Sequence, residues 1–241
     1  MSTSTLPQAP HPPVSAPIRG RLLGGFFIAE ALLSFAPVVV LGAAIGWPAS
    51  LDAPAAQQLS AVAAAPEGVR LGYVLYLIYS IAVAPLLIVL AARTWGSLAH
   101  PAAAAVAAFA ALSALARAIG ILRWLTVMPV LAQAHASADP ASRAGIELVF
   151  DAITTWGGGI GEILGVSLFM AVAMAVLVVG GWRTRAWPRP LAALGGLAAL
   201  ALALLSLPVA GGPDLMPVAV AVSLLSAWML ATGVVLMLRR P

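Results

Sequence analysis

Five ionisable side chains fall inside stretches that are otherwise apolar: Glu30, Arg117, Arg123, Asp151 and Glu162. At the centre of a membrane helix each such group costs about 2.5 to 3.5 kcal/mol on insertion scales, so they pair or line a hydrated cavity. Their heights decide which can meet. Counted from the arginine-rich ends of the third and fourth apolar stretches, Arg117 lies roughly 24 Å up, Arg123 roughly 33 Å and Glu162 roughly 30 Å. If those stretches are antiparallel neighbours, the three groups come within reach of one another. Two guanidinium groups would then hold an anion, and the carboxylate would position them. Asp151 joins the set by angle, since Glu147, Asp151, Thr155 and Glu162 fall within about 60° at roughly 100° per residue. Tyr76, flanked at helical spacing by Tyr73 and Tyr79, and Trp124 are the expected walls. Glu30 lies apart, roughly 12 Å from the arginine-rich face. It is the candidate for a proton-linked role, and a neutral hydrogen-bonded carboxyl at a helix interface is the alternative.

The rest of the chain must place these groups in a bilayer. Of 241 residues, 62% are hydrophobic and 8% charged, against roughly 25% charged in soluble domains. A water-exposed surface cannot be built from this composition. The expected fold is therefore an all-α polytopic membrane helix bundle. Six stretches reach the roughly 20 apolar residues that a crossing requires: 22–45, 71–92, 101–132, 146–182, 191–209 and 216–238. The fourth is too long for one straight crossing, and the triplet Gly157-Gly158-Gly159 is the natural place for it to bend. Gly157, Gly161 and Gly165 recur every four residues, the small-xxx-small pattern that lets helices approach closely. Pro37 and Pro85 are candidate kinks. Residues 1–18, rich in proline, read as a disordered cytoplasmic tail, and 19–241 as a single transmembrane domain. Between the first two spans, Pro54 and Pro66 bracket a short helix expected to lie over the outer face.

All twelve basic residues are arginine, and their placement sets the orientation. Arg19, Arg21, Arg93, Arg183, Arg185, Arg189, Arg239 and Arg240 fall on one side of a six-span arrangement without an acid among them. By the positive-inside rule that side is cytoplasmic, with both termini there, in the cell membrane. The net charge of +4 is thus a matter of sidedness. No nucleic-acid partner is expected; the partners are the bilayer and a small-molecule or lipid ligand.

The sequence holds no motif for a resident cofactor or metal. It has no cysteine, no pair of histidines at membrane depth, and no HExxH, P-loop or GxSxG. Ser34, Ser113 and Ser167 have no histidine at their level, and no catalytic residue is assigned. Two carboxylates and two arginines without an evident nucleophile point away from an enzyme, and the leading expectation is binding or transport of a small molecule or lipid at an outer-half polar cavity. A structural or accessory protein, whose charges only fix helix packing, is the alternative. An intramembrane enzyme is the third reading.

Several short motifs carry a resemblance. Arg19-Gly-Arg-Leu-Leu-Gly24 opens the first span and Arg70-Leu-Gly-Tyr73 the second. Arg117-Ala-Ile-Gly-Ile-Leu-Arg-Trp124, followed by Pro129-Val-Leu-Ala132, ends the third, and Gly161-Glu-Ile-Leu-Gly165 lies in the fourth. Together they resemble the bacterial membrane family called domain of unknown function 4386. The resemblance implies a bundle of about six helices and assigns no activity, so it transfers no catalytic residue.

Overall fold

The computed structural model describes residues 16–239, and among them there is helix but no strand. In chain order the helices are α1 (Ala16–Leu33), α2 (Ala36–Ile45), α3 (Ala55–Ala64), α4 (Pro66–Trp95), α5 (Pro101–Ser137), α6 (Pro140–Gly158), a π-helical segment (Gly159–Phe169), α7 (Met170–Arg183), α8 (Arg189–Leu204) and α9 (Val218–Leu238). Large apolar side chains cover the outside of the bundle, among them Phe26, Val39, Leu115 and Leu197. An apolar surface of this extent belongs against lipid. The protein is a polytopic membrane helix bundle.

Five helical stretches are long and apolar enough to cross a membrane: Gly20–Ile45, Pro66–Trp95, Pro101–Ser137, Pro140–Arg183 and Val218–Leu238. The sixth expected span is shorter than the sequence suggests. Helix α8 has 16 residues, about 24 Å at helical rise against a hydrocarbon core of about 30 Å. It stops at Leu204 because Pro208 cannot donate to that residue's carbonyl. The expected tail falls largely outside the described residues, but Ala16, Pro17 and Ile18 already belong to the first turn of α1.

The first span is broken. Pro37 leaves the Leu33 carbonyl without a helical donor, and the chain turns at Ser34 and Phe35 before α2 begins. Phe35 N–H bonds instead to Leu32 O at 3.1 Å, closing a tighter turn. Helix α2 then leans on α4, where Gly72 leaves room for Leu41: a Cβ at Gly72 would lie 2.5 Å from the Leu41 side chain. The other proline expected to kink a span, Pro85, sits inside a continuous α4.

The fourth span runs 44 residues from Pro140 to Arg183. At the glycine triplet the helix is not interrupted. It changes to i→i+5 hydrogen bonding from Gly159 to Phe169, a wider helix that recurs at functional sites. Asp139 starts the span, accepting from the N–H groups of Ala141 at 2.9 Å and Ser142 at 3.0 Å, with Pro140 behind it.

Helices α4 and α5 pack along each other, and α5 also meets α6, the π segment and α7. Helix α9 is held by α1 and α8. Helix α3 packs on the C-terminal part of α5 and on α6, and defines what is called here the α3 end of the bundle. Two apolar cores result. One, around Phe27, Leu87, Met174 and Trp228, fills the opposite end. The other, around Leu59, Val62, Met128 and Phe150, fills the α3 end. Arg117 lies between them on α5, between Ala114 of one core and Ile121 of the other, and Glu162 lies between Phe150 and Val166 on the fourth span.

Candidate functional site

The site is built where α5 crosses the π segment. A Cβ at Gly120 would lie 2.8 Å from Gly161 Cα and 2.9 Å from Gly157 O, so the backbones touch there. On either side of this crossing the glycine row receives an arginine stem. Gly157 faces Arg123, whose Cδ would stand 2.7 Å from an added Cβ, and Gly165 faces Arg117 Cγ at the same distance. The glycine repeat thus does more than bring helices close. It provides two notches through which Arg117 and Arg123 reach from α5 past its neighbour. Ser113, fully buried, fixes the lower notch by donating to Gly165 O at 2.7 Å.

Both guanidinium groups lie against aromatic rings. Arg117 stands 4.8 Å from the Tyr79 ring centre and Arg123 stands 5.7 Å from that of Trp124, within cation–π range. Tyr73 stacks on Trp124 with ring centres 4.9 Å apart and planes 7° apart, and Tyr76 stacks on Tyr79 at 6.3 Å. Tyr73, Tyr76 and Tyr79 of α4 together with Trp124 of α5 therefore form an aromatic wall beside the two arginines.

These groups surround a cavity of about 330 Å³, within the usual size range of ligand pockets. Arg117, Arg123, Glu162, Tyr76 and Trp124 all line it. Arg117 is only 4% exposed. Its Nε, Arg123 Nε and the hydroxyls of Tyr73 and Tyr79 are buried without a hydrogen-bond partner among the described residues. Neither arginine has a carboxylate within 4.0 Å, the one ion pair among the described residues being His135–Glu147. Glu162 acts on Arg123 through a longer-range field, and its own accessible surface lines the cavity.

Two expected members stand elsewhere. Asp151 is exposed on α6 and does not line the cavity. It shares an angular sector with Glu162 but lies eleven residues earlier, about 16 Å further along the helix. Glu30 is 4% exposed and lies outside the cavity lining, with Oε1 lacking a hydrogen-bond partner among the described residues. It is within the field of Arg117. The neutral hydrogen-bonded alternative therefore finds no bond at that oxygen.

The sequence reading missed two walls and one pair. Phe35 and Val38, beside the break in the first span, and Val218 and Ser223, at the start of α9, also line the cavity. The signal for the first was Pro37; hydropathy alone carried none for the second. His135 belongs to the last turn of α5, and its Nε2 stands 2.9 Å from Glu147 Oε1. The five residues by which α5 outruns its expected end put the two side by side. No group of three metal-ligating side chains occurs among the described residues.

A cavity with two cations, one carboxylate, phenolic hydroxyls and apolar walls can hold an organic anion by charge-assisted hydrogen bonds. Comparison with known proteins adds a family and no activity. No curated protein and no solved structure is similar enough to the chain to match. A family model does match, over residues 22–237, nearly the whole chain. The protein belongs to the family described as domain of unknown function DUF4386.

Proposed function

We propose that this membrane protein binds an organic anion, a small molecule or a lipid, in the cavity between α4, α5 and the π segment. One observation carries the reading: Arg117 is almost fully buried, lines the cavity and has no carboxylate within 4.0 Å among the described residues. A buried charge without a partner costs several kcal/mol, and an anionic ligand removes that cost. Binding is preferred to transport because Glu30 is not part of the cavity lining, and the core below contributes to that lining only through Val166 and Val222. Ser34 Oγ and Ser226 Oγ, 3.0 Å apart, close the cavity floor.

The orientation belongs to the same proposal. Arg21, Arg93, Arg183, Arg185, Arg189 and Arg239 lie at the end opposite α3, whereas Asp52, Glu67, Asp139, Glu147 and Asp214 lie at the α3 end. Both termini are then cytoplasmic in the cell membrane, and the cavity opens in the outer half.

The test is equilibrium binding of phosphate- and carboxylate-bearing anions to the purified protein, with Arg117→Gln as the variant. Loss of one charge-assisted contact is expected to weaken binding about ten-fold or more. Unchanged affinity in a folded Arg117→Gln protein overturns the proposal. The structural alternative rests on the field between Arg123 and Glu162. If it holds, Arg123→Leu combined with Glu162→Leu loses the fold, since those charges exist to fix the packing. A double variant that stays folded and loses the anion removes that alternative.

A further inference from the structure

Part of the cavity wall is also the outside of the bundle. Phe35, Val38 and Val218 line the cavity, yet they are 55%, 40% and 45% exposed. The first two flank the break in the first span, and the third opens α9. Helix α2 is held by α4, while α9 is held by α1 and α8, so the two walls answer to different neighbours. The Ser34–Ser226 contact joins them at the lower edge. Above it the lining residues of both walls are largely apolar: Pro37 and Val38 on one side, Ala219 and Val222 on the other. From Ser226 to Val218 is eight residues, so this mouth extends over about 12 Å of membrane depth from the α3 end.

A mouth of that kind faces acyl chains and not water. Inside it stand the buried Arg117 and the half-buried Arg123, which suit a phosphate, and the more exposed Glu162, which accepts from a hydroxyl. The volume of about 330 Å³ is small for a whole diacyl lipid and sufficient for a polar headgroup. Building on the anion-binding reading, we infer that the ligand is an anionic phospholipid taken laterally from the leaflet at the α3 end. Its phosphate lies at the arginines, its headgroup hydroxyls face Glu162, and its chains leave between α2 and α9 into the bilayer.

The experiment uses the full chain in nanodiscs and two probes, phosphatidylglycerol and sn-glycerol 3-phosphate. Phosphatidylcholine is the neutral comparison. Native mass spectrometry reads retained lipid, and calorimetry reads the soluble phosphate. The wild type is expected to retain phosphatidylglycerol about ten-fold over phosphatidylcholine and to bind glycerol phosphate at least ten-fold more weakly. Val222→Trp fills the mouth and is expected to cut phosphatidylglycerol retention about ten-fold. Val38→Trp, on the facing wall, serves if Val222→Trp does not fold. Equal binding of the soluble phosphate, unaffected by either tryptophan, means access from water; the lateral inference then fails while the anion-binding reading stands. Binding of neither probe, or retention untouched by Arg117→Gln, fails the anion-binding reading and this inference with it.

Discussion

Replacing Gly120 with alanine tests the crossing on which the site depends. The new Cβ would stand 2.8 Å from Gly161 Cα and 2.9 Å from Gly157 O, against an optimal carbon–carbon separation of about 3.5–4.0 Å. The obstructing atoms are backbone, so no side-chain rotation relieves them, and α5 must move off the π segment by about 1 Å. Overpacking of this kind costs about 1–3 kcal/mol. Alanine's helix propensity returns about 0.8–1.0 kcal/mol. The net is a loss of about 0–2 kcal/mol, centred near 1 kcal/mol, which corresponds to a fall in Tm of about 2–4 °C at that centre for a chain of this length. The assay is thermal unfolding of the detergent-solubilised protein, followed by its seven tryptophans. Gly25→Ala is the control: nothing lies within 4 Å of its added Cβ, so propensity acts alone and Tm holds or rises. Gly161→Ala, whose tightest contact is 3.2 Å, should cost less than Gly120→Ala. If Gly120→Ala raises Tm as much as Gly25→Ala does, the close crossing is wrong, and with it the notches for Arg117 and Arg123.

Three further substitutions probe the elements that position the site. Ser113→Ala removes the hydroxyl that donates to Gly165 O, and should lower stability by about 1 kcal/mol in the same thermal assay; Ser167→Ala, which removes the bond to Leu202 O at 2.6 Å, should behave alike. At the start of α6, bonds from the Ser142 backbone and hydroxyl to the exposed Asp139 carboxylate hold its pKa below the ordinary carboxylate value. Its contribution is therefore fully present above the unfolded pKa and is lost as pH falls through the lower folded one. Hydrogen exchange over residues 140–145 should accelerate in that acidic window for the wild type, and Asp139→Asn, which caps without titrating, should remove the dependence.

How much of this the chain announces depends on whether a feature is a count along one helix or a meeting of several. Arg117, Arg123 and Glu162 could be brought together from sequence because regular helices turn residue number into height, and their neighbours joined by a short loop fix the direction. The glycines at 157, 161 and 165 were legible as a close-packing face for the same reason. Asp151 was misplaced because angle was counted and height was not. The mouth between α2 and α9 is a tertiary feature: nothing in Val218–Ser226 distinguishes a cavity wall from lipid-facing helix until α1 is placed beside it. Hydropathy also set the ends of helices poorly. It stopped α5 before His135, hiding the pair with Glu147, and carried α8 past the proline that ends it.

The π segment has a consequence for how this chain can change over time. In an α-helix, deleting one residue turns everything beyond it by about 100° and rotates its buried face out of the core. A π-helical stretch already contains more residues than an α-helix of the same length, so it holds surplus chain. Removing a residue between Gly159 and Phe169 can be absorbed there by tightening to i→i+4 bonding, with the flanking helices left in register. The residues exchanged in that tightening are the ones beside Glu162. The fourth span therefore has one place where length can vary without unpicking the bundle, and it coincides with the wall that faces the two arginines.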